Sequence, residues 1–256
     1  VYKKAPNGLA LGLKNDTGRS HTDFITRDPT LNISGLEDGA TVEYSTDGGA
    51  TWSDTFSAQN GRNDILVHQI DEAGNVPDPT ALSFVYKTSV KGLGLGLKND
   101  TGRSNIDKVT KDGTLAVIGQ EDGAQVEYSV DGGQTWSNSY KAVYGQNNVL
   151  VHQIDTAGNI SDASSLSFVF DDNAKAVGIQ IKKIHGNSGN SDLMSLADTQ
   201  FEFSGVENGA LVEYSTDGGT TWSDTYFAKA GYNSLIVHQI DVAGNISRRM
   251  EVSGSP

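Results

Sequence analysis

The chain has 256 residues, of which 32 are acidic and 19 are lysine or arginine, giving a formal net charge of −13. Such an excess repels nucleic acid and anionic lipid and favours small cations as ligands. The absence of cysteine removes disulfides, thiolate metal sites and cysteine nucleophiles, and no apolar run approaches the length of a membrane span. No nucleic-acid partner and no membrane insertion are expected. With no secretory n-region or h-region and no initiating methionine, the sequence reads as an internal stretch of a longer chain.

The first predicted strand alternates Leu9, Leu11 and Leu13 with small or polar residues, the period of a half-buried strand. Leu93, Leu95 and Leu97 repeat it, and so do Val177, Ile179 and Ile181. The stretch from Gly12 to Ser20 recurs unchanged from Gly96 to Ser104, a shift of 84 residues. Short strands follow around Leu31 and Ile33, then Val42 and Tyr44. Ser45-Thr46-Asp47-Gly48-Gly49-Ala50-Thr51-Trp52 supplies a hairpin whose Asp-Gly-Gly provides positive-φ residues. A long strand from Ile65 to Ile70 ends at the turn Asp71-Glu72-Ala73-Gly74-Asn75, which recurs at Asp155 to Asn159 and Asp241 to Asn245, and a last strand spans Leu82 to Tyr86.

About seven short strands per copy, no helical period, and a repeat too long for solenoid units predict an all-β chain. The expected architecture is three tandem immunoglobulin-like β-sandwich domains, 1–88, 89–173 and 174–256, stacked pole to pole as an elongated rod. Trp52, Trp136 and Trp222 are expected to pack inward. If Ile65, Val67 and Gln69 face the core, His68, His152 and His238 lie on a solvated outer face, while Gln69, Gln153 and Gln239 need buried hydrogen-bond partners.

In this topology the loop after the first strand, with Asp16, Asp23 and Asp28, lies at the pole that meets the next copy. The Glu121-Asp122-Gly123 and Asp155–Asn159 loops lie at the facing pole. Carboxylates brought together there repel unless a cation intervenes, and Ca2+ takes six to eight such oxygen ligands. One calcium site is therefore expected from Asp16, Asp23, Glu121, Asp122 and Asp155, and a second from Asp100, Asp107, Glu207, Asn208 and Asp241. The alternative is that each Asp only caps its own turn. Ile184-His185-Gly186 stands where the other copies have Asp-Thr-Gly, so no equivalent site is expected beyond the third copy.

The Ser-x-Asp-x-Gly-x-Thr-Trp hairpin also fits the Asp-box of sialidase propeller blades, but that box is a folding device and its spacing here exceeds a propeller blade. No nucleophile triad, phosphate loop or paired-carboxylate cleft has support, and a site duplicated in every copy lacks the asymmetry of an active centre. No enzymatic activity is expected.

The motifs Asn-Asp-Thr-Gly-x-Ser, Val-Glu-Tyr-Ser-x-Asp-Gly-Gly-x-Thr-Trp-Ser and His-Gln-Ile-Asp-x-Ala-Gly-Asn resemble those of bacterial Ig-like (BIg) repeats, which build giant non-fimbrial adhesins exported by type I secretion. The resemblance covers the whole chain and weakens at the start of the third copy. It implies a secreted or cell-surface rod, monomeric and stiffened by calcium, whose immediate partners are neighbouring repeats of the same chain. The full-length adhesin would project a binding region toward host cell-surface glycans or glycoproteins. In the alternative the modules themselves bind glycan, with Tyr140, Tyr144, Tyr226, Phe227 and Tyr232 as candidates.

Overall fold

The computed structural model describes residues 4–182, 200–226 and 233–254, and all regular structure in them is β. In the first repeat β1 (Ala10–Leu13) pairs antiparallel with β3 (Leu31–Ser34) as a two-stranded sheet. The facing sheet has β2 (Ile25–Thr26), β6 (Thr80–Tyr86), β5 (Gly61–Ile70) and β4 (Thr41–Ser45) in that order, with β2 parallel to β6. The second repeat copies both sheets. There β7 (Gly94–Leu97) pairs with β9 (Leu115–Ile118). Its larger sheet runs β8 (Val109–Thr110), β12 (Ser164–Phe170), β11 (Gly145–Ile154), β10 (Gln125–Ser129). In the third, β13 (Gly178–Lys182) pairs with β14 (Gln200–Ser204), and β15 (Leu211–Ser215), β16 (Asn233–Ile240) and β17 (Met250–Gly254) form a sheet.

Period-two alternation builds each core. Ile65, Val67, Leu82 and Phe84 of the larger sheet are buried beneath Leu9, and Leu11, Leu13, Leu31 and Ile33 of the smaller sheet pack on them. Val149, Leu166 and Phe168 take these places in the second repeat, and Val177, Leu235 and Val237 form the third cluster. The first two repeats have six strands, not seven. After the hairpin the chain makes one bridge, Tyr44 to Ser53, and then runs irregularly to β5. The Asn63 side chain replaces the missing ladder: it accepts from Gln59 N at 2.9 Å and donates to Gln59 O at 2.8 Å.

The tryptophans do not pack inward. Tyr44 faces the core and is bridged to Ser53, so Trp52, one residue earlier, emerges on the other face of the sheet. There it stacks on His68 with ring centroids 3.7 Å apart, and Trp136 covers His152 at 3.7 Å and Trp222 covers His238 at 3.8 Å. The histidines are consequently buried, not solvated, at 7%, 7% and 4% exposure. Each places Nε2 3.0–3.2 Å from a carboxylate directly across the ladder, Glu43, Glu127 or Glu213.

The glutamines do find buried partners. Gln69 Oε1 accepts from Glu37 N at 2.9 Å, while Nε2 donates to Asn7 O at 2.8 Å and Gly35 O at 3.1 Å. Gln153 bonds Glu121 N, Lys91 O and Gly119 O, and Gln239 bonds Glu207 N, Lys175 O and Gly205 O, in the same way. One fully buried amide thus ties three loop backbones together at the N-terminal pole of every sandwich. Gln153→Leu keeps the volume but orphans these groups, so it should destabilise the second repeat by about 1–3 kcal/mol in denaturant unfolding. Unchanged stability would show that water serves them equally well.

Candidate functional site: the junctions between repeats

The loop between β1 and β2, and its counterpart between β7 and β8, form a projecting plug at the end of the first and second repeats. Thr26 is fully buried and its hydroxyl donates to Asn15 O at 2.9 Å, while Thr17 Oγ1 accepts from Arg27 N at 2.8 Å. Phe24 holds a left-handed backbone at φ 58°, rare for a residue with a side chain, and its N–H is gripped by Asp16 Oδ2 at 3.0 Å. The second plug repeats this with Lys108 at φ 61° and Asp100 Oδ2 at 2.9 Å.

The tip of each plug meets the Asp-x-Ala-Gly-Asn turn of the following repeat. Thr17 Oγ1 donates to Ala157 O at 2.6 Å, Arg19 to Gly123 O at 2.7 Å and Arg27 to Gly158 O at 2.8 Å. In the second junction Thr101 donates to Ala243 O at 2.7 Å, Arg103 to Gly209 O, and Lys111 to Gly244 O at 2.6 Å. Glycine is required at the tip, because a Cβ on Gly18 (φ 91°) or Gly102 (φ 96°) would lie 2.0 Å from the carbonyl oxygen of Thr156 or Val242. The linker is fastened too: the Asn159 side chain donates to Lys87 O at 3.0 Å, and Asn245 to Asp171 O at 2.7 Å.

The poles that meet are those expected, but the ten residues named as metal ligands divide. Asp23 and Asp107 cap Ile25 N and Val109 N within their own loops, which is turn chemistry. Asp122 is exposed. Glu121 and Asp155 already share a cation: Lys87 Nζ lies 2.9 Å from Glu121 Oε2 and 3.3 Å from Asp155 Oδ2. The bond from Lys87, with a further one from Lys91 N, holds the Glu121 carboxyl below its ordinary value. Burial pushes Asp155 upward, but Asn159 and Lys87 outweigh it and the net shift is downward. Burial likewise opposes the charge on Lys87, and Glu121 and Asp155 together raise its pKa.

In the second junction Asp171 stands where the first has Lys87; the Asn245 amide bonds both its carbonyl and the buried Asp241, and Lys175 N donates to Glu207 at 3.2 Å. The negative field of Asp171, and also of Glu207, Asp241 and Asp172, raises the hydroxyl pKa of nearby Tyr144. Among the described residues no three acidic or histidine side chains gather closely enough to hold a metal ion. Asp16 and Asp100 nevertheless each keep one buried carboxylate oxygen, Oδ1, that accepts no hydrogen bond among the described residues. That orphaned oxygen suits a cation ligand, whereas Glu121 and Asp155 do not need one. The loop at Ile184-His185-Gly186 lies outside the described residues.

A second repeated feature is a groove of about 600 Å³ beside β3, lined by Leu31, Tyr44, Phe56 and Tyr86, with a counterpart of about 560 Å³ lined by Leu115, Tyr128, Tyr140 and Phe170. Of the aromatic candidates, Tyr140 lines this groove and bonds Asn147 Oδ1 at 2.9 Å, whereas Tyr144 is exposed elsewhere. Tyr226 packs near Tyr214, and Phe227 and Tyr232 lie outside the described residues.

The BNR/Asp-box repeat family matches residues 43–54, 127–138 and 213–224. These are the tryptophan hairpins, where Asp47 Oδ1 accepts from Ser45 Oγ at 2.8 Å and Thr51 N at 2.9 Å, and Oδ2 from Thr51 Oγ1 at 2.6 Å. The bonds from Thr51 and Ser45 hold Asp47 well below the usual carboxylate range. No curated protein matches the chain. Among solved structures, the chain is similar to the fibronectin(III)-like modules of Clostridium thermocellum CbhA, at 14% identity and a TM-score of 0.35, over 63% of this chain and 93% of that one. It is also similar to a 1.5-MDa bacterial ice-binding adhesin studied for host cell surface retention, at 17% identity and a TM-score of 0.31, over 98% and 97% of the two chains.

The Lys87 pair gives the first junction a defined pH response. Because the folded Glu121 lies below its ordinary 4.5, its contribution is complete above that value and is lost as pH falls through the folded pKa. Lys87→Met should lower thermal stability by about 1 kcal/mol at neutral pH. The gap from wild type should close on acidification. A gap that persists at low pH would show that the lysine acts through packing alone.

Proposed function

We propose that the chain is a structural segment of a bacterial cell-surface adhesin, a rod of sandwich repeats that holds a binding region away from the cell. The observation that carries this reading is the clamp itself: two successive junctions set an equivalent threonine hydroxyl, tip glycine and arginine, and a second cation that is Arg27 in one and Lys111 in the other, on equivalent backbone carbonyls. Such contacts fix the orientation of one sandwich on the next, which is what a spacer needs and what a catalytic module does not. The resemblance of the repeated motifs to BIg repeats supports the extracellular setting, as does a cysteine-free chain able to be exported unfolded. Antibodies raised against the chain should label intact cells of the producing bacterium; labelling only after lysis would overturn the placement.

Calcium adds to this clamp at Asp16 and Asp100, whose buried Oδ1 atoms are its anchors; Asp23 and Asp107 of the plug loops and Asp122 and Asn208 of the facing turns are the remaining candidate oxygen donors in the sequence of each junction. Calorimetric titration of chelator-treated chain should reveal calcium binding with dissociation constants of about 10⁻⁴ to 10⁻³ M. The double variant Asp16→Asn, Asp100→Asn should abolish the heat. Heat unchanged in that variant would place the ion elsewhere, and no heat in the native chain would remove calcium from the account.

The aromatic groove beside β3 and β9 favours a second reading, in which the modules themselves bind host-surface glycans. A glycan array probed with the chain separates the two: uniform silence supports the spacer, and a hit lost in Phe56→Ala with Tyr140→Ala supports the lectin.

A further inference from the structure

The N-terminal pole of the first repeat carries the same receptor that the plugs occupy in the other two. Its Asp71-Glu72-Ala73-Gly74-Asn75 turn closes as they do, with Gly74 N donating to Asp71 O at 3.0 Å against 3.1 Å and 3.2 Å in the second and third repeats. Gly74 has φ 81°, and Gly158 and Gly244 both have φ 86°. The neighbouring Glu37-Asp38-Gly39 turn matches as well, with Ala40 N to Glu37 O at 3.1 Å and Ala124 N to Glu121 O at 3.0 Å.

What differs is exposure. Ala157 and Ala243 are 0% and 1% exposed under the plugs, whereas Ala73 and Gly74 are exposed. A Cβ on Gly158 or Gly244 would meet the tip glycine of a plug at 3.1 or 2.9 Å, while one on Gly74 would meet nothing within 4 Å. The carbonyls of Gly39, Ala73 and Gly74 accept no hydrogen bond among the described residues, although their counterparts receive the arginine, threonine and second cation of a plug.

One substitution adds charge complementarity. The position after the leading aspartate is Thr156 in the second repeat and Val242 in the third, but Glu72 in the first. Glu72 folds back over Gly39, so that its Oε1 would lie 2.5 Å from a Cβ built there. Gly123 and Gly209, the counterparts of Gly39, are the residues whose carbonyls receive Arg19 and Arg103. A carboxylate therefore waits beside the place where an incoming arginine lands.

We propose that this pole is a docking surface for another sandwich repeat bearing a Thr-Gly-Arg plug with a second cation eight residues further on, and that Glu72 pairs with the plug arginine. The inference goes beyond the spacer reading, because it assigns a partner and a charge-based preference to one face and holds whatever the parent protein does. The third repeat has Ile184-His185-Gly186 in place of the Asp-Thr-Gly tip, so the chain is not expected to dock on its own copies.

The test is a longer chain in which residues 1–88 are duplicated ahead of Ala5, so that a native plug and linker precede the full downstream sequence. Amide exchange at Ala73 and Gly74 of the downstream copy should slow by at least ~10-fold relative to the 256-residue chain. Ala73→Glu in that copy should restore fast exchange, and its exposed position leaves the sandwich intact. Glu72→Gln should reduce the protection and weaken its dependence on salt. Unchanged exchange in the duplicated chain, or protection that survives Ala73→Glu, would overturn the docking surface. Protection undiminished by Glu72→Gln would overturn the ion pair.

Discussion

Everything at the junctions depends on backbone meeting backbone without a side chain between. The tip glycine of one repeat lies against the Ala-Gly peptide of the next, closely enough that a single methyl group at Gly18 would overlap a carbonyl oxygen. That approach brings Thr17, Arg19 and Arg27 within hydrogen-bonding distance of three carbonyls at once. Peptide carbonyls at a turn are strong acceptors that must be satisfied when covered, so the same closeness that requires the glycine also requires the donors. Glycine, threonine and two cations are one solution to one constraint, which is why they recur together in the second junction.

The receptor side is equally constrained. Asp155 and Asn159 fix the turn through their own side chains, and the Asn159 amide reaches back to the linker carbonyl of Lys87. Behind the turn, Gln153 ties three loops to the long central strand. A chain of hydrogen bonds thus runs from the sandwich interior to the plug of the preceding repeat. The junctions differ in charge: Lys87 lies between Glu121 and Asp155 in the first, whereas Asp171 holds that position in the second and the cation on Glu207 is the more distant Lys175, at 4.0 Å.

Much of this was legible in sequence. Alternating Leu9, Leu11 and Leu13, the 84-residue shift and the Asp-Gly-Gly turns fix the sandwich and its repetition, and the strand order fixes which loops meet. Gln69 at an inward position announced its need for partners. The tryptophan went astray because its size suggested the core, whereas the Tyr44–Ser53 register sends it to the opposite face, where it buries His68. Register across a hairpin is a pairing property that composition does not carry. The ion pair at the first junction was not legible for a different reason. Counting carboxylates finds negative charge, but Lys87 lies in the linker, outside the acidic loops, and only the folded chain brings its ammonium between Glu121 and Asp155.

The central claim is that direct clamping, before any metal, sets the orientation of successive sandwiches. Spin labels at two exposed positions, Asp78→Cys in the first repeat and Ser139→Cys in the second, can be introduced cleanly because the chain has no native cysteine. Pulsed dipolar spectroscopy in the presence of chelator should give a single narrow distance distribution that broadens when Gly18→Ala is added. A broad distribution in the chelated native chain, narrowing only with calcium, would contradict the account.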